Sequence, residues 1–134
     1  APRRVAASAQ VRTLLPGTLR ENILLGGPGD LAEAVRLAVL ERDLAGFPQG
    51  LETVVGARGT RLSGGQIQRV AAARMFVREP ELLVFDDLSS ALDIETEAAL
   101  WERLFARGAT CLAVSHRPEV LRRADQIIRL DPRW

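Results

Sequence analysis

The order of apolar and helical patterns in residues 80–134 constrains the fold more than any other feature of this sequence. An apolar run at 82–85 is followed by a helical pattern at 94–106. A second apolar run at 111–114 precedes a short helix at about 119–123 and a third run at 127–130. The first two runs show no alternation of apolar and polar residues, which predicts strands buried on both faces. Strands separated by helices predict an α/β fold with a parallel sheet and right-handed crossovers.

The first half of the chain is more helical and predicts an inserted α-helical subdomain. Asp30 stands three residues before Glu33, as in an acidic capping box, and begins a predicted helix that reaches about residue 44 and is ended by Gly46. The Gly-rich segment 47–62 predicts little regular structure, and a second helix is expected at 63–77. The inward stripes would be Leu31, Val35, Ala38 and Val39 in the first helix, and Ile94, Ala98, Trp101, Leu104 and Phe105 in the helix at 94–106.

Composition limits the chemistry of this chain. All 18 basic residues are Arg, and the absence of lysine excludes a lysine Schiff base or a lysine bound to phosphate. The net charge of +1 is too balanced for a nucleic-acid-binding surface. The single Cys111 excludes an internal disulfide, and with one histidine it forms no zinc site without carboxylates or a partner chain. The 134 residues fit one domain, and no apolar stretch is long enough to span a bilayer.

Residues 62–66, Leu-Ser-Gly-Gly-Gln, predict an anion-binding helix start. Ser63 and Gln66 have the spacing of a capping box. Gly64 and Gly65 leave the first turn without side chains, so its free N–H groups and the helix dipole would favour a phosphate. The alternative that these residues leave open is a capped helix that happens to contain two glycines.

Acidic residues follow the first predicted strand, and a histidine follows the second. Asp86 and Asp87 come directly after the apolar run, at the carboxyl edge of a parallel sheet, where ligands bind. One carboxylate there can hold Mg²⁺ while its neighbour polarises an attacking water. His116 follows the run at 111–114 and is expected at the same edge, although a lone histidine is more often a surface or capping residue.

The strings LSGGQ at 62–66, LLVFDD at 82–87, SALD at 90–93 and SH at 115–116 together resemble the nucleotide-binding domain of ABC ATPases. Gln10 stands where this family has its Q-loop glutamine, and residues 17–23 look like the segment after that loop. Residues 53–59 are similar to the exporter-type loop that touches the membrane domain. The resemblance implies a fold like that of P-loop NTPases.

The resemblance also implies roles for individual residues. Gln10 would sense the γ-phosphate and the metal, Asp86 would hold Mg²⁺, and His116 would contact the γ-phosphate. Asp93 matches the D-loop aspartate at a dimer interface. The γ-phosphate of an ATP held mainly by the opposite subunit would be bound by Ser63, Gly64, Gly65 and Gln66.

The implied protein is a transporter. Its partners would be a transmembrane domain and a second nucleotide-binding domain in a head-to-tail dimer, with no nucleic acid, at the cytoplasmic face of a cell membrane, in a bacterium. Within the chain, 1–22 would be the Q-loop region, 23–79 the helical and signature subdomain, and 80–134 the core part with Walker B, D-loop and H-loop.

Two departures from the family pattern carry expectations of their own. The P-loop with its lysine is absent, so the chain is expected to be the C-terminal part of the domain and to hydrolyse no ATP by itself. Asp87 stands where the family usually has a catalytic glutamate, and its carboxylate would lie about 1 Å too far back. In heterodimeric exporters one of the two ATP sites is degenerate in this way.

Two other functions fit parts of the sequence. A soluble ABC ATPase of DNA repair or translation shares the motifs, but such proteins tend to carry larger insertions and basic surfaces. The second alternative is a catalytically inert fragment with a regulatory role.

Overall fold

A computed structural model describes residues 5–7, 13–86 and 92–133 of the chain. Two of the predicted site residues, Gln10 and Asp87, lie outside these ranges. The elements in chain order are β1 (Val5–Ala7), β2 (Gly17–Thr18), α1 (Leu19–Leu24), α2 (Leu31–Leu37), α3 (Glu41–Ala45), a 3-10 turn (Gly50–Glu52), β3 (Val54–Val55), α4 (Gly64–Phe76), β4 (Leu82–Asp86), α5 (Ile94–Ala106), β5 (Cys111–Val114) and α6 (Pro118–Arg122).

The predicted parallel sheet is confirmed as three strands in the order β1–β4–β5. Phe85, on β4, is fully buried and makes edge-on ring contacts with Phe76 of α4 and Trp101 of α5. The sheet therefore buries one face against these two helices.

The prediction that the runs at 82–85 and 111–114 are buried on both faces is wrong for 111–114, and in 82–85 the side chains of Leu82 and Val84 are only partly buried. Val5, Leu112 and Val114 are each more than half exposed. Paired residues of parallel strands point to the same side, and Val5 pairs with Leu82 while Val84 pairs with Leu112, so these side chains share one face. We call Val5, Leu112 and Val114 the open face. A run without alternation indicates apolar residues on both sides of a strand, but only a second packed layer buries both sides.

The helical subdomain contains shorter helices than predicted. The helix expected to reach residue 44 stops after Leu37, because Val39 adopts a left-handed φ of 56°. The N–H of Leu40 bonds to the carbonyl of Val35, and that of Val39 to the carbonyl of Arg36, which is a Schellman ending. Val39 and Leu40 are almost completely buried, and this burial offsets the strain of a β-branched residue at positive φ.

Helix α5 has the predicted limits but a different inward face. Ile94 is 72% exposed, Phe105 is 40% exposed and Ala98 is also exposed. Glu97 and Leu100 are buried in their place, beside Trp101 and Leu104, which lie inward as predicted. The apolar pattern excluded Glu97 because a single helix shows no partner for its charge.

The strand predicted at 127–130 is also wrong, since these residues have no regular structure and Leu130 is 87% exposed. A strand forms only where a neighbouring strand takes up its hydrogen bonds, and no described strand pairs with this segment. The predicted helix at 119–123 corresponds to α6, and segment 47–62 contains only the 3-10 turn and the two-residue β3.

Candidate functional site

The turn at 63–66 has the capping geometry that its sequence predicts. The Oγ of Ser63 accepts the N–H of Gln66 at 3.2 Å, and the Oε1 of Gln66 accepts the N–H of Ser63 at 2.9 Å. Among the described residues, the N–H groups of Gly64 and Gly65 have no acceptor. Two donors at the positive end of a 13-residue helix thus remain available to an anion.

Gly64 has no structural reason within the described chain to be glycine. A Cβ placed on it would meet no atom within 4 Å. Position 64 could therefore carry a small side chain without a clash. The open space beside the backbone leaves room for another molecule to approach the free N–H groups of this turn.

Asp43 of α3 braces the start of α4. Its carboxylate accepts two hydrogen bonds from Arg69, at 2.7 and 2.9 Å, and a weaker one from the Nε2 of Gln66 at 3.3 Å. The Asp43 and Arg69 side chains are each only 13% exposed. The side-chain amide of Gln66 therefore has partners at both ends within the chain, which fixes its orientation.

The other end of α4 holds the segment that follows Gln10. Arg74, almost fully buried, donates to the carbonyl of Asn22 at 2.7 Å and to the carbonyl of Thr13 at 3.2 Å. The amide of Asn22 in turn bonds both the N–H and the carbonyl of Leu15, at 2.8 and 2.9 Å. Burial lowers the pKa of Arg74, and the nearby Arg78 adds to this effect. Helix α4 thus joins the turn at 63–66 to the chain just after Gln10.

The two segments that resemble the family outside the main motifs pair with each other. Strands β2 and β3 are antiparallel, and the N–H of Leu19 donates to the carbonyl of Thr53 at 3.0 Å. Gly59 is required beside this pair, since a Cβ there would lie 2.4 Å from the carbonyl oxygen of Val54. The loop at 53–59 is therefore built against the segment that follows the predicted Q-loop.

Asp86 and His116 lie at the same edge of the sheet, as predicted. Asp86 ends β4 and pairs in register with Val114, so His116 follows two residues beyond that position. Both side chains are exposed. A carboxylate and an imidazole that reach the carboxyl edge of neighbouring parallel strands are placed to bind a ligand there.

Asp93 caps helix α5. Its carboxylate accepts the N–H of Thr96 at 2.7 Å, and this hydrogen bond is the main reason that the pKa of Asp93 is lowered. A bond from the Thr96 hydroxyl and the positive charges of Arg69 and Arg42 lower it further. The charge of Asp93 is therefore favoured by its own helix, independently of any partner.

Comparison with known proteins identifies the family. The sequence profile described as "ABC transporter" matches residues 1–90, which is 90 of the 134 residues. This chain belongs to the ABC transporter family. Among the relatives of this ABC transporter chain is an uncharacterized ABC transporter ATP-binding protein of Bacillus subtilis (strain 168), 46% identical over 121 residues, covering 86% of this chain and 21% of that protein. A putative multidrug export ATP-binding/permease protein of Staphylococcus aureus (strain NCTC 8325 / PS 47) is 39% identical over 128 residues, covering 91% of this chain and 22% of that protein.

Animal and structural relatives agree with this assignment. P-glycoprotein 14 of Caenorhabditis elegans is 40% identical over 134 residues, covering 96% of this chain and 10% of that protein. The solved structure of a bacterial Atm1-family ABC exporter with ATP bound superposes with a TM-score of 0.79 at 34% identity, covering 91% of this chain and 22% of the other. The predicted P-loop NTPase-like α/β fold is therefore confirmed. The chain spans about a fifth of the length of its bacterial relatives.

Sequence reasoning missed the charged and polar residues that hold the site together. The side chains concerned bind partners far along the chain, as in the pairs Asp43–Arg69 and Asn22–Arg74. A short sequence motif does not predict such pairs. Only Arg69 could have been suspected from the sequence, because it lies three residues after Gln66 on the same helix face.

None of the helices in the described ranges is long and apolar enough to cross a membrane.

Proposed function

We propose that this chain is part of the ATP-binding and hydrolysing domain of an ABC exporter. The observation that carries the proposal is the start of α4, where two N–H groups find no acceptor among the described residues and Gly64 faces open space. Such a surface suits the γ-phosphate of an ATP held mainly by another subunit. The matched relatives named as exporters support the direction of transport.

The residues of the sheet edge fit the same ligand. Asp86 would hold Mg²⁺ together with Gln10, and His116 would contact the γ-phosphate. When bound, Mg²⁺ would neutralise charge on the phosphates. Phosphate oxygens and water would complete the coordination, because Mg²⁺ is usually held by one or two carboxylates together with these ligands.

Asp87 bears on which of two ATP sites hydrolyses. Its shorter side chain would weaken the polarisation of water in this subunit's own site, while the complete signature at 63–66 would serve the site of a partner subunit. Replacing Asp87 by Glu in the full-length transporter should then raise ATP turnover. Unchanged turnover by an active homodimer would rule out a degenerate site.

The proposed assembly follows from these roles. A second nucleotide-binding domain would face this one head to tail, and the paired β2–β3 segments would lie toward the transmembrane domain at the cytoplasmic face of the membrane. Segments 1–22, 23–79 and 80–134 would be the Q-loop region, the helical subdomain and the core part. The relatives reported above are named as transporters, which disfavours a soluble ATPase of DNA repair or translation.

The proposal is tested by Gly64→Ala in the full-length protein. Because the added methyl group would meet no atom of the described residues within 4 Å, folding should be unaffected, whereas the approach of a phosphate should be obstructed. We expect ATP turnover to fall at least about tenfold, as for a displaced reacting group.

Gly46→Ala is the matched control. Gly46 has an ordinary helical φ of −85°, and its Cβ would meet only the carbonyl oxygen of Asp43 at 3.4 Å. This variant should keep the parental turnover. A Gly64→Ala protein that folds and hydrolyses ATP at the parental rate would contradict the proposed site.

A further inference from the structure

Arg117 joins two loops that each carry a predicted site residue. Its Nη1 pairs with the carboxylate of Glu97 on α5, and its Nη2 donates to the carbonyl of Leu92 at 3.1 Å. Its backbone N–H donates to the Oγ of Ser115 at 3.1 Å. Arg117 follows His116 directly, and Leu92 directly precedes Asp93.

Glu97 gives this connection its rigidity. The residue is only 3% exposed, and its Oε1 also accepts the indole N–H of Trp101 at 3.2 Å. A buried carboxylate requires a cation and hydrogen bonds, so the guanidinium cannot leave Glu97 without a large cost. Trp101 is itself packed against Phe85 of the central strand, with ring centroids 5.2 Å apart. The pair is thereby anchored to the core.

The planar guanidinium is essential to the arrangement. One arm contacts a charge on α5 while the other contacts the backbone in front of that helix, a fork that only arginine provides. A lysine would supply the charge for Glu97, but its compact ammonium does not present two fixed donors to both acceptors.

We propose that Arg117 is a positioning residue that fixes the His116 loop relative to the Asp93 loop. The proposal rests on the function proposed above. Arg117 itself contacts neither reacting atoms nor nucleotide in this scheme.

The test is Arg117→Lys in the full-length transporter, measured as kcat and KM for ATP. We expect kcat to fall at least about tenfold, as for a misplaced catalytic group, while KM changes little. In a His116→Ala background, Arg117→Lys should cause no further loss, because both changes remove the same contribution. Glu97→Gln provides a second variant of nearly equal size that should behave like Arg117→Lys.

Arg107→Lys is the control, since Arg107 is ion-paired with Glu33 and Glu79 at the other end of α5. It should keep the parental kcat. Parental kcat in Arg117→Lys and Glu97→Gln, or losses that multiply with that of His116→Ala, would overturn this inference alone. A parental transporter that hydrolyses no ATP would overturn the proposed function and this inference with it.

Discussion

Cys111 shows at the scale of one residue how partial burial sets side-chain chemistry. It begins β5 on the covered side of the sheet and is half buried. Burial raises the pKa of its thiol from the usual 9.0 to about 11, because the charged thiolate is disfavoured away from water. Only the thiolate reacts with alkylating agents.

We therefore expect slow alkylation of Cys111 in the folded chain. At pH 8, a pKa of about 11 instead of 9.0 reduces the thiolate fraction about 100-fold. The rate of alkylation by iodoacetamide should fall by the same factor. The same chain unfolded in urea is the reference, and mass spectrometry measures both rates. Equal rates in the two states would mean that β5 is not packed as the structure describes.

At the scale of elements, the start of α4 depends on the pair formed by Asp43 and Arg69. Both side chains are largely buried, and α3 has no side-chain cap of its own. Asp43→Asn would remove the charge that pairs directly with Arg69, leave only the more distant carboxylate of Asp93 beside it, and loosen Gln66. Removing one partner of a buried pair costs about 3 kcal/mol, so the free energy of unfolding in urea should fall by that amount.

The exposed pair Asp131 and Arg133 supplies the control. Asp131→Asn should leave the urea midpoint unchanged, because exposed ion pairs contribute little to stability. If Asp43→Asn also left the midpoint unchanged, Asp43 could not be the residue that holds α4 in place.

Local patterns were predictable from the sequence at this scale, and distant pairings were not. The capping box of Ser63 and Gln66 spans three residues and depends only on helix geometry. The burial of Glu97 depends on Arg117, 20 residues later, and so the apolar pattern assigned the wrong face to α5. Trp101 is predicted correctly because it lies on both the predicted and the observed inward face of α5.

At the scale of the whole molecule, the burial predicted for 111–114 and the strand predicted at 127–130 fail for a related reason. The described residues supply neither a second layer over the open face nor a strand that pairs with 127–130. The fold class was predictable because strand order follows from the alternation of strands and helices. The site was predictable only as motifs, since their mutual placement depends on contacts such as those of Arg74 and Arg117.

The open face gives the last prediction. Within the part of the chain that the structure describes, β1 and β5 are the edge strands of the sheet. Leu112 and Val114 of β5 are 56% and 55% exposed on the open face. Apolar side chains on an unpaired strand edge favour association. The purified 134-residue chain should therefore self-associate at micromolar concentration in sedimentation velocity, and the double variant Leu112→Thr/Val114→Thr should sediment as a monomer.

Val54→Thr is the matched control, because Val54 is 50% exposed but lies on β3, away from this sheet. It should associate like the parental chain, since the change removes exposed apolar surface without touching the open face. A parental chain that is monomeric throughout this range would show that the open face is too small or too twisted to recruit a second surface.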